Sequence, residues 1–276
     1  GAKVVVESTG RFTERDKAQR DIDYMNAMEA MYNAWPGDSD VAALYGLSIL
    51  GSSHGGRDPA IYARAAAVLK PALEQDPRHP GLLHYFIHAV DDPANAASGL
   101  EAAQTYAEVA PESSHALHMP THIYFSLGLW NESNALNERS LAASKRRAER
   151  KGTGLDVHGI HTLRWLPYGY LQAGRIEDAM DLLMQAAEMH EKGELNNATI
   201  LYLNSMFMLE TRLWEHEIPD IDVPSRIETS RSRFIANYAR AVQGIQQGNP
   251  NTVLRLRKAM QQEIERMQER EMDVRG

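Results

Sequence analysis

The sequence contains no cysteine, which excludes disulfide bonds, thiolate metal ligands and cysteine nucleophiles. It also lacks any apolar run of about 20 residues, so we expect no membrane-spanning helix. No segment with the basic, apolar and small-residue order of an export signal opens the chain. From these absences we expect a cytoplasmic protein.

An excess of positive charge is missing as well. Lysine and arginine number 29 against 37 acidic residues, which gives a formal net charge of −8. Proteins that bind nucleic acid or anionic membranes usually carry a basic surface, so we expect neither partner. Phosphate-binding loops, dinucleotide fingerprints and serine-nucleophile motifs are absent from residue 14 onward, and we expect no nucleotide cofactor.

Apolar residues recur at helical rather than alternating spacing from about Glu14 onward, with Gly, Pro, Asp and Asn between the periodic segments. The pattern predicts an all-α chain whose twelve helices form roughly six hairpins. The predicted helices are 14–34, 39–51, 59–75, 80–91, 94–109, 114–127, 131–151, 158–173, 176–192, 195–215, 227–247 and 251–272.

The histidines reveal an internal repeat. His84 and His88 form one HxxxH pair, and His118 and His122 form another, 34 residues further along the chain. That distance is the period of the tetratricopeptide repeat (TPR). The turn pattern of a TPR hairpin also occurs twice, at Tyr124, Gly128, Trp130 and Ala135 and at Tyr170, Gly174, Ile176 and Ala179. The sequence therefore predicts a TPR-like α-solenoid, a right-handed superhelix of helical hairpins.

Three segments of the chain differ in character. Residues 14–218 carry the repeats, and residues 219–276 are predicted to form a C-terminal hairpin with a capping helix, because an extended Pro-Asp-Ile-Asp-Val-Pro connector precedes them. The last helix has a heptad-like apolar stripe, which would also allow two chains to form a homodimer. Residues 1–13 form a leader that we expect to be foreign or disordered.

Within that leader, the stretch Lys3-Val-Val-Val-Glu-Ser-Thr-Gly-Arg-Phe-Thr13 resembles a segment of glyceraldehyde-3-phosphate dehydrogenase. In that family the segment helps to hold the nicotinamide cofactor. The family's glycine-rich cofactor loop and nucleophilic cysteine are missing here, so the activity is excluded on chemical grounds.

Two further blocks carry a second resemblance. His79-Pro-Gly-Leu-Leu-His-Tyr-Phe-Ile-His-Ala-Val-Asp-Asp-Pro93 and His115-Ala-Leu-His-Met-Pro-Thr-His-Ile-Tyr124 are similar to blocks of a group of bacterial TPR proteins. The resemblance covers residues 76–179, and more loosely begins at Thr13. It implies the TPR fold and no particular activity. Members of the group are usually longer, so the chain resembles a shortened or truncated relative.

In a TPR hairpin the first helix lines the concave groove, and the turn glycines fix which residues face it. The residues predicted to face the groove are Gly81, His84, His88, Asp91, His115, His118, His122, Phe125, His161, Arg164, Tyr168 and Leu171. Six of them are histidines. On the predicted helix 80–91, the apolar residues Leu83, Ile87 and Val90 lie about 100° around the helix axis from His84 and His88. They predict the buried face of that helix.

We predict a transition-metal site at these histidines. His84, His88, His118 and His122 are the expected ligands, because helices packed about 8–10 Å apart bring two imidazoles from each side within reach of one ion. Further ligands or orienting partners are expected at His115, His161 and Asp91. Nitrogen ligation suits zinc, copper, nickel or iron. A metal-free groove for a peptide or an anion, and ordinary packing, are the alternatives.

The functional hypothesis is a TPR-type binding protein whose groove holds a metal or a small ligand. The first alternative is a metal-dependent oxidoreductase or hydrolase that uses the same histidines, with Tyr168, Arg164 and Asp91 as candidate catalytic residues. The HExxH signature of helical metalloproteases is absent, since no Glu follows His84 or His118. The second alternative is a metal-free peptide-binding scaffold, which predicts separated imidazoles.

Overall fold

The structure is a computed structural model that describes residues 14–224 and 227–275. At residues 14–17, 227–228 and 269–275 only the backbone is described. The predicted leader, residues 1–13, lies outside the described residues.

The described residues form α-helices, one short 3-10 helix and no strand. The helices are α1 (Glu14–Ala34), α2 (Ser39–Gly51), α3 (Pro59–Gln75), α4 (Pro80–Val90), α5 (Leu100–Val109), α6 (Ser114–Leu127), α7 (Trp130–Lys151), α8 (Val157–Gln172), α9 (Ile176–Glu191), α10 (Asn197–Thr211), α11 (Ile227–Gln246) and α12 (Pro250–Arg275). The prediction of an all-α chain is confirmed.

Two predicted helices are shorter than expected, each for a local reason. The helix predicted at 94–109 begins at Leu100 after a 3-10 turn at Ala96–Gly99, because the Asp92 carboxylate accepts hydrogen bonds from the backbone amides of Ala94 and Asn95 and holds a turn there. The helix predicted at 195–215 ends at Thr211, since Arg212 adopts left-handed backbone angles with φ of 57°.

No helix in the described part of the chain has the length and apolar character that crossing a bilayer requires.

The chain divides into two compact units between Ala89 and Val90. In the first unit α1 packs on α2 and α2 packs on α3. Gly46 on α2 lets the Leu69 side chain of α3 approach the backbone, where a Cβ would overlap it. On α4 the predicted buried residues Leu83 and Ile87 are indeed buried.

In the second unit, each helix from α5 to α10 packs on the next in sequence. The first helices of successive hairpins also pack on one another, α6 on α8 and α8 on α10, which places them in one layer. This is the arrangement of helical hairpins in TPR-like solenoids, and the predicted fold class is confirmed.

Two glycines make the hairpin turns that the sequence pattern predicts. Gly128 and Gly174 have φ of 70° and 74°, in the left-handed region that favours glycine. At the first turn the Leu129 amide donates to the Tyr124 carbonyl, which ends α6 and returns the chain along α7.

A polar stripe on α7 holds the neighbouring helices in place. It consists of Asn134, Asn137, Ser140 and Ser144, all fully or almost fully buried. Asn134 Nδ2 donates to the Gly169 carbonyl of α8 at 3.0 Å, and Ser140 Oγ donates to the Ser114 carbonyl of α6 at 2.7 Å. Buried polar groups are costly unless they are paired, so these bonds favour one particular seating of α6 and α8 on α7.

The C-terminal helices α11 and α12 are joined by a buried ion pair. Glu263 on α12 is 1% exposed and pairs with Arg233 on α11 and with Arg266. Leu256, from the predicted apolar stripe of α12, is buried. The boundaries of the predicted capping segment, residues 219–276, and the homodimer through α12 stay predictions.

Candidate metal centre

The candidate site is formed by two parallel stripes of rings in the second unit. On α6 the residues His118, His122 and Phe125 follow one another at helical spacing, and on α8 the residues His161, Trp165 and Tyr168 do the same. The stripes are in register: the ring centroids of His118 and His161 lie 4.7 Å apart, those of His122 and Trp165 4.5 Å, and those of Phe125 and Tyr168 5.9 Å.

Three histidines converge at one end of these stripes. One ring nitrogen each of His118, His122 and His161 lies within 4.8 Å of the other two. Donor atoms around a tetrahedral ion with metal–nitrogen bonds of about 2.0–2.1 Å are separated by roughly 3.4 Å. Small side-chain rotations would therefore close the three rings on one ion.

His118 is oriented by a partner on the next helix. Its Nδ1–H donates to Asn137 Oδ1 at 2.7 Å, while Thr121 Oγ1 donates to the His118 carbonyl. The residue is only 1% exposed, and its Nε2 atom has no hydrogen-bond partner. Burial, followed by the neighbouring charge of His122, lowers the pKa of His118 to about 2. The ring is therefore neutral at physiological pH, with an Nε2 lone pair.

His122 is oriented by a carboxylate. Its Nδ1–H donates to Asp91 Oδ2 at 2.7 Å, and both side chains are largely buried. Metal-ligating histidines commonly donate their other ring N–H to a carboxylate or a carbonyl, which fixes the tautomer and the ring orientation. The prediction that Asp91 is a further ligand or an orienting partner of a metal site stays a prediction.

His161 is the exposed member of the three. Partial desolvation of its ring, followed by the charges of His122 and Arg164, lowers its pKa. Lowering of the pKa favours the neutral imidazole, which is the form that binds metals. The three histidines thus form a graded set in which His118 is buried, His122 is intermediate and His161 faces solvent.

The remaining predicted ligands lie elsewhere. His84 and His88 lie against each other on α4, in the first unit, with ring centroids 4.9 Å apart and ring planes tilted by 40°. That they share an ion with His118 and His122 stays a prediction. His115 lies against His158, a residue to which the sequence analysis gave no role, with ring centroids 4.4 Å apart.

Two of the candidate catalytic residues, Arg164 and Tyr168, follow His161 along α8. Arg164 lies over the Tyr202 ring with its guanidinium carbon 4.3 Å from the centroid, and burial lowers its pKa. Tyr168 lies further along the helix, and desolvation followed by the charge of Glu210 raises its pKa. Tyr168 therefore keeps its phenolic proton and can donate a hydrogen bond, but it is not suited to be a base.

Beyond the histidines, the same face becomes aromatic. Phe125 contacts Trp165, Trp130 and Tyr168 with centroid distances of 4.7, 5.2 and 5.9 Å. All four rings are partly exposed. We call Phe125, Trp130, Trp165 and Tyr168 the aromatic strip.

The sequence analysis missed two contributors, Asn137 and Trp165. Asn and Ser recur on α7 at steps of three or four residues, and this spacing is the sequence signal that places Asn137 on one polar face of the helix. Trp165 lies four residues after His161, which places both on one face of α8.

No protein-family model matches the sequence, and no curated protein is significantly similar to it. Among solved structures, the human IFIT1 dimer with m7Gppp-AAAA is similar with a TM-score of 0.47 and 14% identity. The alignment covers 88% of this chain and 56% of IFIT1, so the chain spans little more than half of that protein.

A putative kinesin light chain from Podospora anserina with TPR-like repeats is similar with a TM-score of 0.47 and 14% identity, over 76% of this chain and 94% of that one. The Naa15/Naa10 complex bound to HypK-THB gives a TM-score of 0.41 and 14% identity, over 90% of this chain and 36% of that one. At these values the similarities carry no information about activity or partners.

Proposed function

We propose that this chain is a TPR-like binding protein that holds a divalent transition metal on His118, His122 and His161. The observation that carries the proposal is the buried, unpartnered Nε2 of His118, directed by the Nδ1 bond to Asn137. An unsatisfied buried polar atom costs about 1–3 kcal/mol. His118 Nε2 is one of five such side-chain atoms among the described residues, and it is the one that belongs to the three-histidine group. Coordination of a metal would satisfy this atom.

The chemistry of the donor set supports the same proposal. Three imidazoles suit zinc, and also copper, nickel or iron. His118 and His122 each donate Nδ1–H to a fixed acceptor, Asn137 and Asp91 respectively. Bonds of this kind fix the tautomer of each ring and make Nε2 the nitrogen that would bind a metal. The proximity of the three rings also favours a metal over a metal-free peptide scaffold, for which separated imidazoles are expected.

The test is a zinc titration of the metal-free full chain, produced without a polyhistidine tag, in competition with a chromophoric chelator. We expect one zinc ion per chain, and a loss of affinity of at least about tenfold on His118→Ala or His122→Ala, which corresponds to 1.4 kcal/mol. His54→Ala is the matched control, because its Nε2 contacts the Asp21 carboxylate at 2.9 Å but lies outside the three-histidine group.

If zinc bound in substoichiometric amounts, or if all three variants bound it equally well, the proposal would be wrong. A variant that fails to fold is recognised by its circular dichroism. In that case His161→Ala gives the decisive measurement, since the exposed position of this side chain makes it the least important of the three for stability.

A second candidate function, a metal-dependent hydrolase or oxidoreductase, is favoured by the number of donors. Among the described residues of the second unit, no fourth His, Asp or Glu places a donor atom within the same 4.8 Å group. Catalytic zinc sites typically have three protein ligands and one exchangeable position. Hydrolysis of an activated ester by the zinc-loaded chain, abolished by His122→Ala and unaffected by His54→Ala, would assign this function.

A further inference from the structure

The three-histidine group and the aromatic strip belong to one continuous face, and this continuity limits what can bind there. We propose that the metal's exchangeable position takes the carboxylate of a small organic acid whose aromatic or branched apolar body lies on Phe125 and Trp165. This inference rests on the proposed metal site, which it extends by naming the class of ligand.

The charge of the site determines the sign of the ligand's binding group. A divalent ion on three neutral imidazoles keeps both positive charges, and Asp91 next to His122 compensates for only one. Arg164 adds a further positive charge, and it follows His161 by three residues on α8, which places the two side chains next to each other on the helix surface. The face is therefore positive where the metal would bind, which favours an anionic group there.

The orientation of the ligand follows from the charge at the other end. Glu210 Oε2 accepts a hydrogen bond from Gln172 Nε2 at 2.9 Å, and Gln172 lies one turn after Tyr168 on α8, so a carboxylate placed at that end would meet another negative charge. An acid that binds with its carboxylate at the histidines and its apolar body towards Tyr168 avoids this repulsion.

The aromatic strip supplies the surface for the apolar body. His122 and Trp165 are adjacent, with ring centroids 4.5 Å apart, and Phe125 lies 4.7 Å from Trp165. The distance from the ligand His122 to the apolar surface at Trp165 is therefore about the width of one ring. A carboxylate two or three carbon atoms from an aromatic ring spans it, whereas acetate would reach the metal alone.

The experiment uses the full chain loaded with Co²⁺, whose visible d–d bands report changes in coordination. We would titrate it with acetate, 3-phenylpropionate and the neutral 3-phenylpropanamide. We expect 3-phenylpropionate to bind at least about tenfold more tightly than acetate, and the amide to leave the bands unchanged. In Trp165→Leu and Phe125→Leu the two carboxylates should bind with similar affinity, while Trp35→Leu, at an exposed tryptophan of the first unit, should behave as wild type.

Equal affinities for the two carboxylates in the wild-type chain would overturn the inference, and so would binding of the amide or an unchanged preference in both strip variants. A Gly-Gly-Phe peptide that binds more tightly than 3-phenylpropionate would assign the site to peptide C-termini instead and overturn the small-acid assignment. A cobalt spectrum that forms but does not respond to any acid contradicts the inference alone, whereas failure to bind cobalt or zinc contradicts the proposed function as well.

Discussion

Individual residues at the site differ in how strongly their surroundings constrain them. His118 is buried on α6, Asn137 accepts its Nδ1–H, and one of its ring nitrogens lies within 4.8 Å of nitrogens of two other rings. His161 has solvent on one side and is held mainly by its helix. The buried residue therefore determines where an ion would lie, and the exposed one can adjust its rotamer to close the site.

The first prediction concerns the residue that orients His118. Asn137→Ala removes the acceptor of the Nδ1–H bond, so the ring loses its fixed tautomer and orientation, and we expect zinc affinity to fall about 10–100-fold. Chelator competition measures the change. Asn134→Ala is the control for helix packing: Asn134 is equally buried on α7 and donates to the backbone of Gly169 on α8, so we expect a smaller loss of zinc affinity than for Asn137→Ala. An equal loss of zinc affinity in both variants would show that Asn137 acts only through stability.

The second prediction concerns pH. His118 has a pKa of about 2 in the folded chain against 6.5 for an ordinary histidine. Because the pKa is lower in the folded state, the unfolded chain binds the proton first, and the free energy of unfolding decreases as pH falls from 6.5 towards 2. The contribution of this group approaches about 1.4 kcal/mol per pH unit within that range.

Urea unfolding of the metal-free chain at several pH values between 6.5 and 4 measures this dependence. His118→Gln should show a shallower loss of stability with falling pH than wild type. Parallel curves for His118→Gln and wild type would mean that His118 is already protonated, or exposed, in the folded chain.

At the scale of the elements, the site depends on the way α6 and α8 are seated on α7. The polar stripe on α7 bonds to both helices, and two glycines of α8 allow the close approach. A Cβ at Gly159 would overlap Ser144 Oγ, and a Cβ at Gly169 would overlap Asn134 Oδ1. These contacts bring the His161 stripe of α8 into register with the His118 stripe of α6.

The third prediction tests this seating. Gly169→Ala should push α8 away from α7 and lower the free energy of unfolding by about 1–3 kcal/mol, the usual cost of overpacking. It should also weaken zinc binding, since His161 moves with its helix. Gly37→Ala is the control, because a Cβ there meets nothing within 4 Å, and we expect a change within about 0.5 kcal/mol. Unchanged stability of Gly169→Ala would mean that Asn134 moves aside without cost.

At the scale of the whole molecule, the three histidines, their orienting partners and the aromatic strip all belong to the second unit, Val90–Arg270. Ligand binding stabilises the folded unit that carries the site by mass action. A unit without the site gains stability only if its folding is coupled to that of the binding unit. The two units should therefore respond differently to metal.

The fourth prediction follows from this division. Zinc at about 100 times its dissociation constant should add about 2.7 kcal/mol to the opening free energy of the binding unit, which slows amide exchange about hundredfold. Hydrogen-exchange mass spectrometry should show this protection in α6, α7 and α8 and little change in α1, α2 and α3. Equal protection of both units would contradict a site confined to the second.

The sequence by itself determined the helices, the hairpin turns at Gly128 and Gly174, and the recurrence of histidines at helical spacing, because periodicity and turn chemistry are local properties of the chain. The tertiary structure decided that His161, which the sequence predicted only as a further ligand or orienting partner, lies with His118 and His122. It alone decided that Asn137 orients His118 from 19 residues away and that Trp165 continues the same face. These relationships depend on how deeply one helix is seated against another. That depth is set by the buried polar bonds of α7 and by the glycines of α8, which lack a Cβ atom. These contacts act between helices, so the spacing of residues along a single helix does not predict them.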